Sequence, residues 1–185
     1  MFLRHLGTQS IETVRLQLRK FQLEDAEDMY HNWAGDPEVC KYLSWGPHQD
    51  VGVSRRRISY WIASYERNNS YVWAIELKNK KMVIGTISVE ITDDTTLSCE
   101  VGYCLGKEYW SRGIMSEALH TVMHFLFYEV GYQRIIAKHD VQNIASGRVM
   151  QKAGMHFLKY EYRVGIRRDK SYYDCAVYEK KITEE

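Results

Sequence analysis

The sequence has only two prolines and no low-complexity run, which excludes the composition of a disordered tail. It has no excess of charge of one sign: 25 Lys and Arg stand against 24 Asp and Glu, for a net charge of +1. No overall basic field exists to draw nucleic acid, so any anion has to be held locally. Nowhere do about 18 consecutive apolar residues occur, and the opening Met1-Phe2-Leu3-Arg4-His5-Leu6 lacks a long apolar core. The expectation is a cytoplasmic protein with no membrane partner. Cysteine is scarce too. Cys40, Cys99, Cys104 and Cys175 show no C-x-x-C pairing, so buried, reduced thiols are expected and no metal site.

What is present reads as a globular chain. With 45% hydrophobic residues over 185 positions, one domain spanning residues 1–185 can bury a real core, and one active site is expected. Residues 13–19 alternate Val14, Leu16 and Leu18 against polar neighbours, the period-two pattern of a half-buried strand. From Leu23 to about Ala34 the spacing turns helical, with Leu23, Ala26, Tyr30 and Trp33 on one face. A short helix near residues 37–43 and a longer one near 50–68 follow. Strands are then expected near residues 71–77, 82–91 and 97–105, arranged as an antiparallel meander. The most regular helix runs over residues 111–130, with Met115, Ala118, Leu119, Val122, Phe125 and Leu126 forming one apolar stripe, and Gly131 ends it. A strand near 134–139, a helix near 144–153 and strands near 157–164 and 172–178 complete the order. This succession predicts an α+β layered domain with a mixed sheet.

One junction carries chemistry. The strand ending at Leu105 leads through Tyr109-Trp110 into Ser111-Arg112-Gly113-Ile114-Met115-Ser116, the start of the long helix. The first amides of a helix lack intrahelical partners, and its dipole adds about half a positive charge there, so a phosphate group can be held by backbone alone. Neither the G-x-x-x-x-G-K-[ST] of a P-loop nor a dinucleotide-binding G-x-G-x-x-G occurs.

The wider context of this junction is a family resemblance. Glu100-Val101-Gly102-Tyr103, Tyr109-Trp110-Ser111-Arg112-Gly113 and Glu117-Ala118-Leu119 resemble the coenzyme A motif of the GNAT N-acetyltransferases. Asn143-Ile144-Ala145-Ser146 and Lys152-Ala153-Gly154-Met155 resemble that family's second motif. At the front, residues 13–19, Leu23-Glu24-Asp25-Ala26 and Asp36-Pro37-Glu38-Val39 resemble the branch that acetylates the N-termini of ribosomal proteins at alanine or serine.

The resemblance implies a mostly antiparallel sheet flanked by helices, whose splayed strands hold acetyl-coenzyme A as co-substrate. Its pantetheine arm would pair with the backbone at Tyr103 and Leu105, and the amides of Arg112, Gly113, Met115 and Ser116 would hold the pyrophosphate. Asn143 would contact pantetheine, and Arg148 or Lys152 the ribose phosphate. Trp33, Tyr42 and Trp45 belong to front helices that frame the acceptor pocket in such proteins. Two positions depart from the family pattern. Met115 stands where a glycine or alanine is usual and bears on the width of the pyrophosphate cradle. Met150 replaces a frequent tyrosine that protonates the leaving thiolate, which leaves Ser146 or a water in that role.

Glu100 is the carboxylate nearest the expected reaction centre, so it is the candidate general base, with a salt-bridged surface glutamate as the competing reading. The demand on a base depends on the acceptor. An α-amino group, with pKa about 7.7–8.0, is about a tenth neutral at pH 7, whereas a lysine near 10.4 costs ~3.4 kcal/mol more to deprotonate. An N-terminal acceptor can therefore manage with a weak base or a water chain, and because the front-end acids Glu24, Asp25, Glu27, Asp28, Asp36 and Glu38 lie mostly at helix starts, a protein N-terminus is the expected acceptor. A polyamine, aminoglycoside or amino-sugar is the alternative, and a non-catalytic acyl-coenzyme A sensor is a third. Monomer and homodimer both remain open. His120 and His124 are expected to face solvent, as is the run Arg55-Arg56-Arg57.

Overall fold

A computed structural model describes residues 2–167 and 170–182. One eight-stranded sheet organises them, in the order β1-β2-β3-β4-β5-β6-β8-β7. The strands are β1 (Ile11–Glu12), β2 (Leu16–Arg19), β3 (Val72–Leu77), β4 (Met82–Asp93), β5 (Ser98–Leu105), β6 (Arg134–Asp140), β7 (His156–Ile166) and β8 (Tyr172–Lys181). All neighbours are antiparallel except β5 and β6, which run parallel. The mixed, mostly antiparallel α+β architecture expected from the sequence is the one observed.

Helices cover both faces. On one side lie α1 (Ala26–Met29), flanked by a tight turn at Leu23–Asp25 and a wide turn at Tyr30–Ala34, and α2 (Val51–Ser64). A further tight turn spans Val39–Tyr42. On the other side lies α3 (Ile114–Phe125), extended by a wide turn at Leu126–Val130. Gly131, at φ 99°, takes the left-handed conformation that stops it. The shorter α4 (Ile144–Lys152) connects β6 to β7.

Period-two alternation divides the core between the faces. Trp73 and Ile75 of β3 join Ala118, Leu119 and Val122 of α3 in the larger cluster. Val72 and Ala74, one residue out of phase, join Met29, Trp33 and Ile58 in the smaller one. Cys99 packs in the first cluster and Cys104 in the second, as their odd spacing requires. All four cysteines are buried, and among the described residues they form no disulfide.

The first strand differs from its expected extent. Residues 13–15 form the turn of a β1–β2 hairpin, and Val14 is 94% exposed at its tip. The Thr13 hydroxyl accepts from Leu16 N at 2.9 Å, a local bond that competes with strand continuation. Leu23 is likewise exposed, and Met29 takes the buried position on the first helix.

One irregularity positions the site. The β5–β6 pairing covers only Ser98↔Arg134 through Val101↔Ala137. Beyond it, Gly102–Leu105 pair with β4 alone and Lys138–Asp140 with β8 alone. The two strands part, and a wedge opens between them.

Candidate active site

The wedge forms a cleft of about 510 Å3 that reaches from the start of α3 and the inner face of α4 to the tight turn at Val39–Tyr42. At its α3 end stands Gly113, the N-cap, at φ 72°. A Cβ there would meet only Arg15 Nη2, at 3.7 Å, so the glycine is required by backbone conformation more than by space. The first helical bond runs from Glu117 N to Gly113 O at 3.0 Å, which leaves the amides of Ile114, Met115 and Ser116 without intrahelical partners. Gly113, Met115 and Ser116 all line the cleft. Arg112 does not: it is exposed, and its guanidinium lies 5.8 Å above the Tyr109 ring. Met115 is 4% exposed and packs in the larger cluster, so its side chain is drawn into the core beneath the turn.

A network unread in the sequence braces this turn. Thr13 Oγ1 donates to Glu117 Oε1 at 2.5 Å, Arg15 Nη2 meets Glu117 Oε2 at 2.6 Å, and Arg15 Nη1 donates to Arg112 O at 2.9 Å. Burial alone would raise the Glu117 pKa, but these hydrogen bonds and the Arg15 charge outweigh it and hold the carboxyl below its usual range. The β1–β2 hairpin thus ties the N-terminal segment to the helix start and sets a guanidinium beside it.

Midway along the cleft, β5 meets α4. The Tyr103 hydroxyl lies 2.9 Å from Ser146 Oγ and donates to Ser146 O at 3.0 Å. Burial pushes the Tyr103 phenol upward, against the Ser146 hydrogen bond that lowers it, so it stays protonated at physiological pH. Asn143 is the N-cap of α4, and its side-chain oxygen accepts from Ser146 N at 3.3 Å. Leu105, the second backbone position expected to pair with pantetheine, already has its carbonyl engaged by the Trp110 indole at 2.8 Å. Arg148 and Lys152, one turn apart on α4, are exposed and line the same cleft. Met150, 1% exposed, is core.

The far wall holds Glu38, Val39, Tyr42 and Leu43. Lys107 pairs with Glu38 and links this wall to the loop after β5. Of the three expected acceptor residues, only Tyr42 is here. Trp33 is a correction: it is fully buried in the smaller cluster, because the wide turn at Tyr30–Ala34 rotates it under the sheet. Trp45 is a second, since it packs against that cluster with its ring 5.3 Å from His48, outside the cleft lining.

Glu100 also falls outside the lining. Its Oε2 lies 3.0 Å from Lys138 Nζ, and Lys138 reaches on to Glu161 at 3.2 Å. Burial alone would lower Lys138, but the Glu100 and Glu161 carboxylates outweigh it and raise its pKa. The salt-bridged reading of Glu100 is the one this geometry matches.

His120 and His124 lie exposed along a shallow groove between α3 and the N-terminal segment. Among the described residues no three His, Cys, Asp or Glu side chains are grouped to hold a metal ion, and no helix is long and apolar enough to cross a membrane.

Comparison with known proteins places this architecture. The family model "Acetyltransferase (GNAT) domain" matches residues 15–156. The uncharacterized N-acetyltransferase p20 of Bacillus licheniformis is 32% identical over 152 residues, covering 80% of this chain and 85% of that protein. Two solved structures share the fold. The microcin C7 self-immunity acetyltransferase MccE, in complex with acetyl-CoA and AMP, has a TM-score of 0.82 at 20% identity, over 92% of this chain and 94% of that one. The ribosomal-protein-S5-alanine acetyltransferase of Vibrio fischeri has 0.81 at 21% identity, over 94% and 96%. A family model that spans residues 15–156, most of the sequence, establishes that the chain belongs to the GNAT acetyltransferases.

Proposed function

We propose that this acetyltransferase takes acetyl-coenzyme A as its acyl donor and transfers the acetyl group to a primary amine, the α-amino group of a protein N-terminus. The observation that carries the reading is the wedge between β5 and β6, with unpaired helix-start amides at one end and Tyr103 and Ser146 at its middle. The residues present fit coenzyme A. The amides of Ile114, Met115 and Ser116 hold its pyrophosphate, with Arg15 adding positive charge nearby, and the free edge of β5 at Gly102 and Tyr103 accepts the pantetheine arm. Arg148 and Lys152 hold the ribose phosphate; like charges one turn apart repel unless an anion joins them. When bound, the thioester supplies an activated acetyl group.

Ser146 donates its hydroxyl proton toward the sulfur that leaves. Tyr103, whose one phenolic proton lies between Ser146 O and Oγ, orients that hydroxyl so that the serine proton is free for the sulfur, and it is the positioning residue. The acceptor enters past Tyr42 and Leu43. Support for an N-terminal amine comes from the acids at the front of the chain, since those that could crowd a polyamine site are engaged: Glu38, which lines the cleft, pairs with Lys107, and others serve the fold. Asp25 is bidentate to Arg19 at 2.8 Å, Asp28 accepts from Val83 N at 2.8 Å, and Asp36 accepts from Glu38 N at 2.8 Å.

The test is release of coenzyme A thiol from acetyl-coenzyme A, with a panel of short peptides carrying N-terminal alanine or serine, spermidine and glucosamine. Peptide-dependent release supports the reading. Release with spermidine or glucosamine alone moves the acceptor to small amines, and tight binding without release from any amine makes the protein a sensor.

A further inference from the structure

Strand β4 does not run evenly against β5. The pairing steps from Val89↔Val101 to Ile91↔Glu100, so Glu90 is the extra residue of a β-bulge. Bulges re-aim side chains, and this one carries Glu90 over the bare face of Gly102. A Cβ built on Gly102 would stand 3.1 Å from Glu90 Cγ and 3.2 Å from its Oε1. The carboxylate occupies the space that any larger residue at 102 would take. Ser88, the cross-strand partner of Gly102, donates its hydroxyl to Glu90 Oε1 and fixes the orientation.

The place matters as much as the pose. The β5–β6 ladder ends at Val101↔Ala137, so Gly102 is the first residue of β5 beside the opening. Tyr103 follows it and reaches Ser146, and Cys104, on the same sheet face as Gly102, lines the cleft. Glu90 stands outside the cleft lining, as Glu100 does, but it is exposed and among the described residues no lysine or arginine pairs with it, whereas Glu100 is held by Lys138.

We propose that Glu90 is the catalytic carboxylate that receives the proton of the acceptor ammonium, an inference that rests on the amine-transfer reading above. One proton passes from the ammonium to Glu90, directly or through one water. The freed nitrogen pair forms the N–C bond at the thioester carbonyl, and the C–S bond breaks with its electron pair leaving on sulfur. A second proton leaves nitrogen and reaches sulfur by way of the Ser146 hydroxyl, which gives one proton and regains one. The third stays on the amide. A carboxylate is a weak base, and it suffices for an acceptor already about a tenth neutral at pH 7.

The experiment compares the unaltered enzyme with Glu90→Gln and Glu90→Asp, by thiol release across pH with the amine panel and by calorimetry with acetyl-coenzyme A. Glu90→Gln is expected to lower kcat/KM for the amine by about a hundred- to ten-thousandfold, with a deficit that narrows as pH rises toward the amine's own pKa. Affinity for acetyl-coenzyme A should not move, and Glu90→Asp should restore part of the rate. A Glu90→Gln enzyme with the parent's rate and pH profile overturns the assignment. No thiol release from the unaltered enzyme with any amine overturns the amine-transfer reading and the role of Glu90 with it.

Discussion

The hydroxyls of Tyr103 and Ser146 stand 2.9 Å apart and join β5 to α4 at the point where the sheet has opened. The same phenol donates to Ser146 O, so one side chain fixes both the first turn of α4 and the direction of the serine hydroxyl. Met150, at the position where the family resemblance implies a frequent tyrosine, is buried, and Tyr103 reaches α4 from the strand.

Tyr103→Phe removes the hydroxyl and keeps the ring. It should lower kcat while leaving the KM for acetyl-coenzyme A nearly unchanged, because the lost contact orients a group that acts as the C–S bond breaks. Ser146→Ala should do the same. Since the two act as one unit, the double variant should be little worse than the poorer single one. Additive losses in steady-state kinetics would separate their roles.

At Gly113 the φ of 72° costs an L-residue about 1–2 kcal/mol, although a methyl group has room there. Gly113→Ala is therefore expected to lower the melting temperature modestly, and Gly113→Val to do so more. Both should weaken acetyl-coenzyme A binding in calorimetry, because relaxing φ turns the amides of Ile114–Ser116 away from a common centre. Unchanged affinity in a folded Gly113→Val protein would remove the pyrophosphate from this turn.

Much of this site was legible in the chain and some was not, for physical reasons. Helix α3 announced itself because its apolar residues recur at helical spacing, and its phosphate turn because Gly113 sits directly before that pattern begins. The opening between β5 and β6 follows from pairing over only four register positions, which no local pattern encodes. For Glu100 the sequence leaves a free base and a salt-bridged carboxylate both open, because strand alternation fixes its face but not its partner, and Lys138 arrives from a strand formed after an intervening helix. Glu90 was missed for the converse reason: a bulge breaks the alternation by which its direction would be read. Val14 fits a strand pattern as well as its neighbours do, and the turn closed by the Thr13–Leu16 bonds leaves it outward.

Glu100→Gln leaves Lys138 with Glu161 as its remaining carboxylate partner. The variant should melt at a lower temperature at neutral pH, and its surviving activity should keep the parent's pH profile. A lost alkaline-recoverable rate, with stability intact, would return the general base to Glu100.

Arg148 and Lys152 offer a test by ligand chemistry. Replacing either with Ala should weaken acetyl-coenzyme A more than its 3′-dephospho analogue, and added salt should narrow that difference because both side chains are exposed. Equal losses for the two ligands would move the ribose phosphate elsewhere.

The Arg15–Glu117 pair links folding to pH in a direction that can be worked out. Glu117 has a folded pKa below its ordinary value of 4.5, so the folded state favours the ionised carboxyl. The stability this confers is fully present above the unfolded value and is lost as pH falls through the folded one. Glu117→Gln should therefore lower the melting temperature at neutral pH, and the gap to the parent should close on acidification below about 4.5. Because Thr13 and Arg15 meet at this carboxylate, and Arg15 in turn donates to the Arg112 carbonyl, the same variant should loosen the helix start and weaken acetyl-coenzyme A binding at neutral pH. Arg15→Gln removes a positive charge as well as the brace, so its affinity loss should exceed that of Glu117→Gln and shrink with salt. If the two variants lose affinity equally at every salt concentration, Arg15 serves the turn only as a brace and its charge does not reach the phosphate.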